Sequence, residues 1–191
     1  EEGCSEIWFD EDVQLAHYKL PANCKFIGQT LLQTKFRSNY GCNILQITTP
    51  QAVIDMPGAD YILEAASTLL IIGTREQFKM FNAAVASKQI DLEPLDEPIS
   101  LRQFMLQSHE EKPELQFLSL AITVDEHSKL LGKSIKDANI RENWSALVLG
   151  LERGAYTITN PNISLTFEKG DLLWVLGKQK MLNALIREEV L

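Results

Sequence analysis

Cysteine is scarce in this chain: Cys4, Cys24 and Cys42 are the only three in 191 residues, and no two stand in a C-x-x-C pattern. An odd number excludes a fully paired disulfide framework, and the spacing excludes a zinc knuckle. A reducing, cytoplasmic setting fits best. His17, His109 and His127 are each isolated, with no H-E-x-x-H motif and no i, i+4 partner, so no metal site is expected. There is no G-x-G-x-x-G and no Walker A pattern, hence no self-contained dinucleotide or phosphate cradle. The longest apolar runs, such as Leu69-Leu-Ile-Ile72, fall far short of the ~20 residues a membrane span needs. Positive charge is also in short supply, with 18 Lys and Arg against 26 Asp and Glu. A net charge of −8 gives counterion release little to act on, so a nucleic-acid polymer is not an expected partner. The chain opens on Glu1 without a charged, apolar leader, as expected of a piece of something longer that has no secretory signal.

What the sequence does have is itself, twice. A shift of 104 residues without gaps superimposes Lys25-Phe-Ile-Gly28 on Lys129-Leu-Leu-Gly132, Arg37-x-Asn39-Tyr40 on Arg141-x-Asn143-Trp144, Pro57 on Pro161 and Gly73 on Gly177. Between positions 25 and 73, ten residues are identical to their partners, and fifteen of the other thirty-nine pairs exchange one apolar residue for another. This is an internal duplication. Domains of about 75 residues are marginal alone, so the copies are expected to pack on each other or on a second chain. With 45% hydrophobic and 23% charged residues the composition is that of an ordered globular protein.

Each copy reads as strand, helix, three strands, helix. In the second, residues 118–124 alternate as a half-buried strand, and 134–144 form one helix with Ser134 as N-cap and Asp137 near the positive helix end. Residues 146–151 are a continuous apolar strand that turns at Glu152-Arg-Gly154 into 156–159. Asn160-Pro-Asn162 breaks the chain. Residues 165–167 and the turn 168–171 lead into the last strand, 172–176, which stops at Gly177. An amphipathic helix spans 181–190. In the first copy the strands are 14–20, 43–48, 53–55 and 69–72, the first helix is 30–40, and Phe78, Met80 and Phe81 carry the closing helix. The predicted domains are 10–86 and 116–191. The linker between them, 87–115, holds Pro94, Pro98 and Pro113, an acidic cluster and one short helix capped by Ser100.

No catalytic constellation can be assembled. Asp125-Glu126-His127-Ser128 strings acid, imidazole and hydroxyl along one turn, where neighbours point in different directions. Cys42 follows a helix end at Gly41, where the dipole disfavours a thiolate, and reads as a buried structural residue. Arg37 and Arg141 repeat at one position of the first helix. Each complements a helix dipole, or a pair of them across an interface holds an anionic ligand bidentately.

Gly132-Lys-Ser-Ile135, an Arg-bearing helix, an apolar strand, a hairpin, Pro161, Gly170-Asp171 and Gly177 together resemble the regulator of potassium conductance C-terminal domain, also called TrkA-C. The first copy keeps Tyr40-Gly41-x-Asn43-Ile44 but has Ala66-Ser67 in place of Gly-Asp. The resemblance implies an α+β fold, with a mostly antiparallel sheet of about four strands and helices packed on it, as a pseudo-twofold tandem. It also implies a non-catalytic regulatory segment on the cytoplasmic side of a prokaryotic potassium transport protein or cation:proton antiporter. Its implied partners are a membrane transport domain in the same parent chain or a channel subunit, and a second copy as homodimer or intrachain pseudo-dimer. No cofactor is implied. The regulatory ligand would be cyclic di-AMP or another small anion, contacted by residues of the first helix and the following strand: Arg37, Asn43, Ile44 and Pro57 in the first copy, Arg141 and Pro161 in the second, where Leu147 replaces the Asn. A purely structural dimerisation module, or a ligand-sensing domain of another transporter or an enzyme, are the competing expectations.

Overall fold

In a computed structural model, residues 12–107, 112–159 and 161–190 are described, and they fall into two units that meet at residues 106 and 107. His109 and Asn160 lie outside the described residues. The first unit runs β1 (Val13–Lys19), α1 (Leu31–Thr34), α2 (Phe36–Tyr40), β2 (Asn43–Thr48), β3 (Val53–Asp55), β4 (Thr68–Thr74) and α3 (Arg75–Ala86). It then continues through β5 (Glu93–Pro94), β6 (Ile99–Ser100) and α4 (Leu101–Gln107). The second unit opens on a 3₁₀ turn, Pro113–Leu115, followed by β7 (Phe117–Thr123), α5 (Ile135–Ala138), α6 (Ile140–Trp144), β8 (Leu147–Arg153), β9 (Tyr156–Thr159), β10 (Leu172–Lys178) and α7 (Gln179–Leu185). A π-helical turn over Ile186–Val190 extends α7.

The two sheets are antiparallel and share one strand order, β3-β2-β4-β1 in the first unit and β9-β8-β10-β7 in the second. Even the irregularities repeat. A bulge interrupts β2 between Ile44 and Gln46 and β8 between Val148 and Gly150, positions related by the same shift of 104. Side chains alternate across the strands, so Ala16 and Tyr18 of β1 and Leu69 and Ile71 of β4 face the helices. There they meet Phe78, Phe81, Ala84 and Val85 of α3. The corresponding core of the second unit gathers Ile122, Leu173, Val175, Phe167, Leu182 and Leu185. Met80, expected to help carry the closing helix, is 56% exposed. It lies off the stripe of Phe78, Phe81 and Val85, which follows the helical repeat.

The single helix expected over 30–40, and again over 134–144, is two short helices in each unit. Lys35 (φ 59°) and Asn139 (φ 49°) are left-handed and close α1 and α5 after one turn. The N-cap at Ser134 is as read, its Oγ accepting from Asp137 N–H at 3.0 Å; Thr30, read as the first helical residue, is instead the N-cap of α1 and forms a capping box with Gln33. Glycines 73 and 177 do not stop their strands. Both pair across the sheet, with Gln14 and Leu118. A Cβ at 73 would stand 3.1 Å from Cys42 Sγ, and one at 177 would stand 3.3 Å from Ala146 Cβ and from the Ser145 carbonyl. Glycine serves close approach there.

The repeated lysine also has a shared task. Lys25 Nζ donates to the Gln89 carbonyl, three residues past α3, at 2.7 Å, and Lys129 Nζ to the Glu188 carbonyl, in the turn that extends α7, at 2.6 Å; each ties its loop to the segment that closes the domain. Within the segment read as a linker, Ser100 Oγ accepts from Gln103 N–H and Leu101 is fully buried, as a capped, packed helix requires. Residues 93–94 and 99–100 of that segment are not a tether, because they pair with the outer edge of β1.

Candidate functional site

Four of the sequence-predicted residues of the first unit converge on one end of β2. Helix α2 ends at Gly41 (φ 72°), whose N–H donates to the Arg37 carbonyl at 2.8 Å, and two residues later Asn43 opens β2 opposite Ile72. Strand β3 pairs Gln46 with Asp55, and Met56 N–H donates to the Leu45 carbonyl at 2.8 Å. The left-handed Met56 (φ 44°) turns the chain there.

Their exposure separates the roles they can take. Arg37 is exposed, and the part of its guanidinium that packs on the fold loses solvation, which lowers its pKa from the ordinary value without an acidic partner among the described residues. It is a cation available to an anion. Asn43 is half-buried. Ile44 is 5% exposed and belongs to the core, so it can meet a ligand only through its backbone. Pro57 is buried and shapes the turn.

In the second unit β8 pairs with β9 as far as Gly150 opposite Thr159, and Pro161, two residues further on, is buried. Arg141 is half-buried and already engaged, and the amide of Asn43 is matched by the apolar Leu147. The two ends are alike in backbone and unlike in chemistry.

The turn before the last strand of the second unit holds a buried ion pair. Asp171 is fully buried. Arg153 Nε and Nη2 donate to its two oxygens at 2.8 Å each, Nη2 also reaches the Thr166 carbonyl at 2.9 Å, and Nη1 reaches Glu168 Oε1 at 2.8 Å. Glu168 N–H adds a further bond to Asp171 at 2.8 Å. Burial pushes the Asp171 carboxyl up. The hydrogen bonds from Arg153 and Glu168 and the guanidinium charge outweigh that and leave it below its ordinary value. In the first unit Thr49 and Ser67 occupy the matching positions. The left-handed turn survives there without a glycine, since Ala66 has φ 60° where Gly170 has 92°. Ser67 Oγ is buried and has no hydrogen-bond partner among the described residues. This clamp was missed in the sequence, where Gly170-Asp171 read as a turn signal alone.

The remaining sequence candidates are structural. Asp125 Oδ1 accepts from the N–H groups of His127 and Ser128 at 2.8 and 3.0 Å, and Ser128 Oγ donates to the Glu189 carbonyl at 3.2 Å. The acid therefore caps a turn. Cys42 is 1% exposed, and burial pushes its thiol up to about 12. Among the described residues no group of three or more His, Cys, Asp or Glu could hold a metal, and no helix is long and apolar enough to cross a membrane. Seven of the eight net negative charges fall in residues 1–11 and 108–111, so the described residues are together close to neutral.

Comparison with known proteins agrees with this duplicated fold. An uncharacterized transporter of Synechocystis, sll0640, is 24% identical over 84% of this chain and 25% of its own length. The Ktr system potassium uptake protein A of Vibrio alginolyticus is 28% identical over 70% of this chain and 49% of its own. The chain thus spans between a quarter and a half of these relatives. Among solved structures, the RCK C domain of the potassium transport protein KtrA, in complex with cyclic diadenosine monophosphate, is 28% identical. It covers 37% of this chain and 81% of its own, with a TM-score of 0.35. The TrkA-C domain family matches residues 15–86 and again 120–189, and the chain belongs to that family, carrying its domain twice in tandem.

Proposed function

We propose that this chain is the regulatory part of a prokaryotic membrane cation transporter, for potassium transport or cation:proton antiport, and works on the cytoplasmic side of the membrane. The observation that carries this reading is the double TrkA-C match in a chain whose relatives are a transporter and a potassium uptake protein. The reading is non-catalytic. Arg37 and Asn43, an exposed cation and an amide at one end of β2, suit the holding of an anion.

The ligand is cyclic di-AMP or another small anion. Its phosphate pairs with Arg37, its polar edge with Asn43 and the backbone at Ile44, while Pro57 holds the turn opposite. Arg141 and Pro161 keep the backbone of a second, weaker end in the other copy. The ligand shifts the transporter only by binding one arrangement of paired copies better than another, whether they pair within a chain or as a homodimer.

Thermal unfolding of the chain tests this. At a hundred times its dissociation constant a ligand stabilises the folded state by about 2.7 kcal/mol, a rise in Tm of several degrees. A dimer in light scattering whose Tm is unmoved by cyclic di-AMP or any other small anion would instead identify a structural dimerisation module.

A further inference from the structure

We propose that residues 93–100 are a clasped strap that opens as a unit while the first domain stays folded, with the pair His17–Asp96 as its clasp. The strap lies on the outer edge of β1 in two short ladders: Tyr18 and Lys19 pair with Pro94 and Glu93, and Gln14 and Leu15 pair with Ser100 and Ile99. The two registers differ by two residues, so the strand is broken opposite His17. Asp96 bridges that break. Its Oδ1 accepts the His17 backbone N–H at 2.7 Å, in the place of a strand carbonyl, and its Oδ2 meets His17 Nδ1 at 2.6 Å. Leu95 N–H donates to the His17 carbonyl at 2.9 Å, which completes the clasp.

Three observations make the strap separable from the fold. Residues 93–97 are all exposed, and Leu95 at 53% contributes almost nothing to the core. The burial that holds the chain lies outside the strap, at Leu92 on one side and Leu101 on the other. The duplicated domain also does without it, since β7, the counterpart of β1, pairs with β10 alone among the described residues. Opening therefore costs edge hydrogen bonds that water replaces and leaves both anchors in place. What the strap controls is whether β1 presents a free row of backbone groups to another strand. This inference does not depend on the ligand proposed above.

Hydrogen exchange of the intact chain, read by mass spectrometry on peptides from 13–19, 93–100 and 68–74, tests the device. The strap should exchange by local opening at least tenfold faster than β4. Asp96→Ala should speed exchange over 93–100 and 13–19 by about a further tenfold and leave β4 unchanged. Asp96→Asn, which keeps an acceptor for the His17 N–H, should fall between the two. The proposal is overturned if the wild-type strap exchanges at the unprotected rate, if it is protected as strongly as β4, or if Asp96→Ala speeds all three segments alike.

Discussion

The clamp Arg153–Asp171 offers a test in which the protein supplies its own neutral control, because the first copy fills the same two positions with Thr49 and Ser67. Arg153→Thr strands the Asp171 carboxylate, whose side chain is 1% exposed, with a single backbone donor. Stranding a buried charge in this way costs about 3–5 kcal/mol. Asp171→Ser leaves Arg153, 31% exposed, still bonded to Glu168 and to the Thr166 carbonyl, so the loss is smaller, about 1–3 kcal/mol. The double variant removes both charges and restores the first copy's chemistry. It should be more stable than Arg153→Thr alone, with a coupling energy of about 1–3 kcal/mol. Urea unfolding followed by tryptophan fluorescence in a Trp8→Phe background reads this in the relevant unit, since the other two tryptophans, Trp144 and Trp174, both belong to the second copy. pH gives an independent check. The Asp171 pKa is depressed in the folded state, so its stabilisation is fully present above the unfolded carboxylate value of about 4 and is lost as pH falls through the folded value. The double variant should lack that acid-sensitive component. Additive single losses, or an unchanged acid profile, would refute the reasoning.

Other expectations follow from backbone and burial. Ala66→Gly should stabilise the first unit by about 0.5–1 kcal/mol, because Ala66 holds a left-handed φ of 60°, and Gly170→Ala should cost the second unit about 1 kcal/mol, both read as shifts in urea midpoint. Gly177→Ala should cost about 1–3 kcal/mol, since the new Cβ meets Leu182, Ala146 and the Ser145 carbonyl at 3.1–3.3 Å; a neutral outcome would contradict the close-approach account. In a Cys4→Ser, Cys24→Ser background, Cys42 should react with a thiol reagent only as fast as the domain opens, because burial holds the thiol up at about 12. Reaction at the rate of a free thiol would contradict its burial.

Much of this architecture was legible because a duplication doubles every signal. The first strands of the two copies, the Arg-bearing first helices and the glycine pair at 73 and 177 could each be checked against a partner. What escaped was what depends on long-range geometry. Lys35 has no marked preference that would split a helix, and Asn139, whose side chain tolerates the left-handed conformation, carried a signal that was not used. Gly73 and Gly177 read as strand stops because sequence shows no neighbour, whereas the helix and Cys42 or Ala146 crowd them. The acidic, proline-bearing run 93–100 has the composition of a tether and becomes part of a sheet through Asp96, a contact 79 residues distant in sequence. The candidate ligand end of β2 was named residue by residue through the family resemblance, and the structure adds the difference that matters chemically: Arg37 is exposed where Arg141 is half-buried and engaged.

Calorimetric titration of the chain with cyclic di-AMP, run beside Arg37→Ala and Arg141→Ala, tests the regulatory reading most directly. The account predicts a saturable heat that Arg37→Ala abolishes or weakens at least tenfold and that Arg141→Ala largely keeps. No heat from the wild-type chain, or a heat that Arg37→Ala leaves unchanged, would contradict it.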